Sequence, residues 1–285
     1  MIYSVTKSIN AEDLSLALNL QLIGDKQQSI LDIKALDSNE SNTLTFSKKI
    51  SEIKVKGIVI GLDAQKAESL IISENPRYDF CRALNFLFDH GFLTLSIPHS
   101  SIDSSASIAN SACIENGVVI GANTIIEHNV VVHKGTQIGS NCIIRANTVL
   151  GAQGFGFEKG PNGSWLRFPH LGQVIIQDNV EIGALNSVCV GTIGNTVISS
   201  GVKTDNLVHI AHNCTIGKNS ILTACAELSG GVTLGDNVWI GPNSSTMQKV
   251  KIGNDVMVGL ASTVTKNIEN GLVVAGSPAR VLRSR

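Results

Sequence analysis

The sequence predicts a mainly β protein: a parallel β-helix preceded by a small α/β domain. Three observations carry this. From Ile102 the chain repeats every six residues. Ile102, Ile108, Ile114, Ile120, Ile126, Val132, Ile138, Ile144 and Leu150 are all aliphatic, and a second run passes from Ile210 through Leu222, Leu234 and Ile252 to Val264 with only Thr246 departing. Four residues after each aliphatic stands a small or β-branched residue, among them Val118, Thr124, Val130, Cys142, Cys214, Ser220 and Ser244. Residues 1–97 lack this period. A helix repeats near 3.6 and a plain strand near 2, so a period of six belongs to a solenoid whose unit is one short strand and one corner.

Taken in order, residues 1–97 read as the small α/β domain. Asn10 is placed to cap a helix carrying Leu14, Ala17 and Leu18. Short β-like runs follow at 30–33, 43–46, 57–60 and 70–72, and a second helix over 77–88 puts Phe80, Leu84, Leu87 and Phe88 on one face. Pro98 and Ser100-Ser101 mark the junction. Residues 98–268 form the β-helix. In each hexad the aliphatic points inward, and the small residue four later also points inward where little room remains. Corners such as Gly121-Ala122-Asn123 and Gly235-Asp236-Asn237 carry turn formers. Three hexads close one coil, and coils stack about 4.8 Å apart. A lone coil buries nothing useful, so stacking creates the core. The phase breaks twice. Residues 151–173 leave the prism, and after Ile176, Ile182 and Val188 the phase slips by four before Ile198. Such corner insertions often line a binding face. Residues 269–285 are expected to form an irregular tail.

Composition limits the function classes. A net charge of −1 and a pI near 6.6 argue against nucleic acid or an anionic membrane as the main partner. The N-terminus has no signal-peptide apolar region and no 18-residue apolar run occurs, so no transmembrane segment and a cytoplasmic location are expected. The six cysteines form no disulfide-type set or metal-ligand spacing, and Cys142 and Cys214 fill small inward positions. No metal site is expected: His209 and His212, three apart across a strand and corner, do not converge. His128, His133 and His170 show no partner pattern and read as surface residues.

Two segments are more specific than the repeat. One runs Leu150-Gly151-Ala152-Gln153-Gly154-Phe155-Gly156-Phe157 through Trp165, Pro169 and Gly172; the other is Asp205-Asn206-Leu207-Val208-His209-Ile210-Ala211-His212-Asn213. With Leu44-Thr45-Phe46 and Asn75-Pro76, they resemble the bacterial UDP-3-O-acylglucosamine N-acyltransferases of lipid A synthesis. The resemblance implies a left-handed β-helix, an N-terminal domain that binds a nucleotide-activated amino sugar, and no tightly bound cofactor. It also implies that acyl carrier protein delivers a 3-hydroxyacyl chain from its phosphopantetheine thioester to the sugar amine. The pattern also departs from the family. Phe46 is followed by Ser47-Lys48-Lys49-Ile50, without the Asn and second aromatic of the family's uracil pocket. Val273-Val274-Ala275-Gly276-Ser277-Pro278-Ala279-Arg280-Val281 is similar to the ending of hexapeptide acetyltransferases that use coenzyme A. The alternative is therefore an acetyl-CoA-dependent N-acetyltransferase of a nucleotide-linked amino sugar for O-antigen-type glycans. A β-helix scaffold without catalysis is a third possibility, against which the retention of His212 and Gly230 argues.

N-acylation needs an amine, a thioester, a base and a donor for the oxyanion. A histidine suits the base. His212 is the candidate, two residues past inward Ile210 and hence at a corner. Gly230 lies one coil further along, where its bare amide suits the oxyanion, and the resemblance implies the same pair. Asp205 and Asn206 either bind the sugar or hold its amine, or are ordinary corner residues, and His209 either touches substrate or has a plain surface role. Phe46 either stacks on a base or packs in the small domain. Phe155 and Phe157 either wall a substrate or acyl pocket or pack the loop. Gly241, Gly259 and Ala261 are the expected acyl-donor contacts. Val119, Ile125, Val131, Ile143 and Val149, each one position before a repeat aliphatic, read as one apolar stripe along the axis. Such a patch is rarely left wet, and a homotrimer with shared sites would bury it.

Overall fold

A computed structural model describes residues 2–49, 55–63, 66–97 and 99–285; Ile50 and the expected junction residue Pro98 lie outside them. The chain divides into two compact units, one of residues 1–96 and 155–171 and the other of residues 97–154 and 172–285.

The second unit is a three-faced parallel β-helix. Among the described residues eight strands of two to four residues stack on each face, in the order the period of six requires, and two more strands extend the second. The first face runs from Ser101–Ile102 to Lys251–Ile252, the second from Ser107–Ile108 to Met257–Val258, and the third from Cys113–Ile114 to Thr263–Val264. Each repeat aliphatic pairs with the one a coil above, as in Ile120↔Ile138 and Ile210↔Leu228. The core is a column of these residues, with Ile126, Ile144, Ile182, Ile210, Leu228 and Ile240 at 1% exposure or less.

The small inward residues have a second task. Their hydroxyls satisfy corner backbone that faces the dry interior. Thr124 Oγ1 donates to the Gly139 carbonyl at 2.8 Å and accepts from the Cys142 amide at 3.1 Å. Ser220 does the same between Gly235 and Val238. Where the aliphatic at the strand is replaced by Thr204, a buried polar network compensates. Thr204 Oγ1 donates to Asn186 Oδ1 at 2.9 Å and accepts from the Gly183 amide at 3.0 Å, while Asn186 Nδ2 reaches the Ala184 and Asp205 carbonyls. Buried polar atoms are tolerated when paired in this way.

Most corners turn through a left-handed residue three past the aliphatic. Asn123, Asn141, Asn213 and Asn237 hold it with φ between 56° and 61°, and Asn tolerates this region better than most residues. At the corner between the second and third faces Leu185 and Leu207 hold it instead, with φ of 59° and 62°. The two phase breaks stand at the corner that follows the third face, called the third corner below. The coil from Ile138 to Ile176 takes 38 residues and that from Ile176 to Ile198 takes 22, against 18 in the other coils up to Val264 and 16 in the last, from Met257 to Val273. The first insertion opens with a register shift between Leu150 and Ala152, and beyond both insertions the pairing returns to the 18-residue step.

Two expectations about this unit need correction. The stretch 269–285 is regular: Leu272–Ala275 continues the second face in parallel with Met257–Val258, and Arg280–Ser284 returns antiparallel to it. The five residues expected as one apolar stripe lie on three faces. Val119 pairs with Gln137 on the first, Ile125 with Ile143 on the second, and Val131 with Val149 on the third. Residues six apart advance by one face, so only residues a full coil apart share one.

The first unit centres on a five-stranded mixed sheet, ordered Leu22–Gly24, Ala67–Ile72, Val55–Gly61, Thr43–Phe46 and Asp32–Ile33. Helix α1 (Ala11–Leu18) is capped by Asn10, whose Oδ1 accepts from the Asp13 amide at 2.8 Å. Its buried side is Leu14, Ser15 and Leu18, and Ala17 is exposed. Helix α2 (Pro76–Asp89) starts with Pro76 behind the Asn75 cap and buries Phe80, Leu84 and Leu87. Phe88 meets the Tyr3 ring edge-on at 5.1 Å. Residues 155–171 form a hairpin of Phe157–Lys159 and Trp165–Arg167, held on α2 by an Arg77–Glu158 ion pair at 2.9 Å and by Asn85 Nδ2 donating to the Arg167 carbonyl. His170, expected at the surface, is 1% exposed, and its Nδ1 lies 2.9 Å from the Phe168 carbonyl.

Candidate active site

His212 and Gly230 meet at the third corner, one coil apart. A Cβ placed on Gly230 would stand 2.6 Å from both Cε1 and Nε2 of His212. The imidazole therefore lies directly on the glycine backbone, and only glycine leaves it room. Gly230 has an ordinary backbone φ, so the requirement comes from the ring and not from the turn.

The other ring nitrogen is held by groups that the sequence reading did not single out. His212 Nδ1 lies 3.0 Å from Asn213 Oδ1. The same oxygen accepts from the Thr192 amide at 2.9 Å and from the Thr192 hydroxyl at 2.7 Å. A backbone N–H only donates, so the atom facing it is the carboxamide oxygen, and His212 Nδ1 must supply the proton of their shared bond. The basic lone pair is thereby assigned to Nε2, the atom on the Gly230 side. Asn213 is itself fixed: its left-handed backbone is the corner residue, and its amide donates to Thr196 Oγ1 at 2.9 Å.

Thr192 belongs to the four-residue lengthening of the 22-residue coil. The preceding Gly191 has no room for a side chain, since a Cβ there would collide with the Gly194 carbonyl and stand 2.9 Å from Asn213 Nδ2. The phase slip before Ile198 was the available sequence signal. It marked an irregular corner, but only the stacked register places that corner beside Asn213.

The remaining expected residues divide by location. His209 is half-buried on the outer side of the third face, between Ser187 and Glu227 in the adjacent coils. Asp205 and Asn206 lie at the second corner, which follows the second face. Asn206 Oδ1 already accepts from the Ala184 amide at 2.8 Å, and Asp205 Oδ1 from the Asn206 amide at 2.7 Å. Gly241, Gly259 and Ala261 continue that same corner. A Cβ on Gly241 would stand 2.6 Å from the Leu260 amide nitrogen, so coil stacking alone demands glycine there. Within one chain, then, His212 and Gly230 occupy one corner, and Asp205, Asn206, Gly241, Gly259 and Ala261 another.

In the first unit, Phe46 packs against Phe80 with ring centroids 4.9 Å apart, and Phe80 is fully buried. Phe155 is 89% exposed and Trp165 66%, and with Phe157 they line a groove of about 610 Å³. The thiols are buried in part: burial pushes those of Cys214 and Cys81 up to about 12, while Cys113 and Cys225 are exposed.

Comparison with known proteins accords with this fold. A family model described as bacterial transferase hexapeptide, six repeats, matches residues 117–152, 195–230 and 231–266. Those three segments of the prism match bacterial transferase hexapeptide repeats. The UDP-3-O-acylglucosamine N-acyltransferase of Campylobacter lari is 38% identical over 130 residues, 46% of this chain and 41% of that protein. That of Caulobacter sp. strain K31 is 39% identical over 136 residues, 48% of this chain and 40% of that protein. These matches bear out the resemblance read from the sequence, and they span about two-fifths of the length of the relatives. Among solved structures, the UDP-N-acetylglucosamine O-acyltransferase of Moraxella catarrhalis superposes with a TM-score of 0.55 at 26% identity, over 66% of this chain and 73% of that one.

Proposed function

We propose that the chain is an N-acyltransferase that moves an acyl group from a thioester to the amine of a nucleotide-activated amino sugar. The observation that carries this reading is the His212–Gly230 contact with the imidazole proton held at Nδ1 by Asn213. His212 Nε2 removes the proton from the sugar amine as nitrogen attacks the thioester carbonyl. The Gly230 amide stabilises the oxyanion of the tetrahedral intermediate. Collapse expels the thiolate and leaves an amide. The named activities of the relatives, all acting on UDP-linked sugars, supply the substrate class.

The donor is a 3-hydroxyacyl chain on the phosphopantetheine of acyl carrier protein, as in the family the sequence resembles. The second reading, acetyl-CoA, is favoured by the Ala275-Gly276-Ser277-Pro278-Ala279 turn, which joins the strand Leu272–Ala275 to Arg280–Ser284.

The working unit is a homotrimer in this reading. The candidate residues occupy two corners of a single prism. Three prisms side by side about a threefold axis set the second corner of one copy beside the third corner of the next, completing the site.

The test is a transfer assay. The purified chain is incubated with UDP-linked amino sugars and either 3-hydroxyacyl carrier protein or acetyl-CoA, and products are read by mass spectrometry. An N-acylated UDP sugar is the expected product, and its mass identifies the donor. No product with any pairing would overturn the reading. Light scattering that gives a fully active monomer near 30.1 kDa would overturn the trimer.

A further inference from the structure

One carboxylate stands on the face that leads into the His212 corner. In the coils around it, residues 187–195, 209–213, 227–231 and 245–249 make up the third face and third corner, and Glu227 is the only acid among them. Leu228 points inward with no exposure, so Glu227 and Ser229 on either side of it point outward. Both are half-buried. Ser229 Oγ donates to Glu227 Oε1 at 3.1 Å, which draws the carboxylate toward the corner end of the strand. Ser229 is the residue before Gly230, on which the His212 ring lies. One coil down, the matching positions are His209 and Ala211. Among the described residues Glu227 Oε2 makes no hydrogen bond and the carboxylate no ion pair, although His209 is its neighbour on the face. Its charge is felt at the corner: burial first, and the Glu227 carboxylate in addition, push the Cys214 thiol up to about 12.

An acceptor amine differs from an acceptor hydroxyl chiefly in charge. An aliphatic amine is largely an ammonium at neutral pH, and a half-buried carboxylate with a free oxygen is its complement. A sugar hydroxyl offers the same carboxylate no charge, and the bond is weaker for it. His212 cannot draw this distinction, because its Nε2 lone pair accepts a proton from either group. Asp205, the acid expected to hold the amine, turns the second corner and already accepts from the Asn206 amide.

We propose that Glu227 is a substrate-binding residue that selects an amine over a hydroxyl: its free Oε2 accepts from the ammonium of the sugar and holds that nitrogen beside His212. The bound ammonium gives one proton to water before attack, and His212 Nε2 takes a second as the C–N bond forms, leaving the one proton of the amide. The inference rests on the acyltransferase reading of the same corner.

The experiment compares the UDP-linked amino sugar that the chain acylates with its analogue bearing a hydroxyl in place of the amine; UDP-glucosamine and UDP-glucose are the simplest such pair. Binding of each to the full chain is measured by calorimetry without donor, and acyl transfer is assayed in parallel, for wild type, Glu227→Gln and Asp205→Asn. Wild type is expected to prefer the amino sugar. Glu227→Gln is expected to weaken the amino sugar about tenfold, the low end for a hydrogen bond between charged groups, with KM rising to match and the hydroxyl analogue unaffected. Glutamine keeps an acceptor for the Ser229 hydroxyl, so unchanged melting is expected. Equal weakening of both sugars in Glu227→Gln would overturn the proposal, since the side chain would then only support the surface. Unchanged affinity for the amino sugar, equal affinity of wild type for the two sugars, or loss of the preference confined to Asp205→Asn would overturn it as well. Each of these leaves the acyltransferase reading intact as long as wild type transfers. A wild type that acylates no UDP-linked sugar overturns that reading and this inference with it.

Discussion

The His212 imidazole fills the space that a side chain on Gly230 would need, with a Cβ there only 2.6 Å from Nε2. This contact makes two substitutions informative together. His212→Ala removes the base and is expected to lower turnover by about 10²–10⁴-fold. Gly230→Ala leaves His212 present but forces its ring aside, and is expected to cost turnover of similar order. Neither site supplies the aliphatic core, so both variants should melt close to wild type. Steady-state kinetics with a parallel thermal scan checks this, and wild-type turnover in Gly230→Ala would refute the geometry.

Asn213→Gly keeps the left-handed corner and removes the oxygen that holds His212 Nδ1–H. By comparison with the outer groups that orient metal-bound imidazoles, a loss of about 10- to 100-fold in kcat is expected, with KM little changed. Thr192→Val removes one of two Thr192 bonds to that oxygen and should cost less. If Asn213→Gly lowered stability but left kcat at the wild-type value, the side chain would be holding the corner and nothing more.

Much of this was legible in the sequence, and the failures share a cause. A period of six encodes the strand, the inward pair and the corner, because each is decided by residues adjacent in the chain. The vertical neighbour is just as legible in uniform coils, which is how Gly230 falls onto His212. Thr192 was not legible, because the 22-residue coil breaks the count that would have placed it beside Asn213. The apolar stripe failed because residues six apart share a chemistry but not a face. Asp205 and Asn206 are close to His212 in sequence yet turn a different corner. The tail has no hexad, but Leu272–Ala275 still finds the open edge of the second face.

Thr204→Val tests the polar interior. Valine is close to threonine in shape but leaves Asn186 Oδ1 and the Gly183 amide without the hydroxyl that serves both. Stability should fall by about 1–3 kcal/mol, the cost of a buried polar group deprived of its partner. Urea unfolding measures this, and an unchanged midpoint would show that the network contributes nothing.

The thiols should separate by location. Cys113 and Cys225 are exposed, whereas burial raises Cys81 and Cys214 to about 12 and also raises Cys142 and Cys189. At pH 7.5 in native buffer an alkylating reagent should label Cys113 and Cys225, and all six cysteines after denaturation. Peptide mass spectrometry reads the pattern directly. Native labelling of Cys214 would show that the prism opens at the coil that carries His212.

The register of the β-helix gives it translational symmetry, like a ruled grating whose lines are coils. Deleting residues 105–122 would remove one full period of 18, joining a corner to the equivalent corner one coil along. Every inward residue beyond the join would still point inward. A cut one residue longer or shorter would throw all of them out of phase. The height of the prism is therefore adjustable in steps of about 4.8 Å while the corner that holds His212 keeps its shape. Length and chemistry are separate variables in this chain, and selection can act on one without rewriting the other.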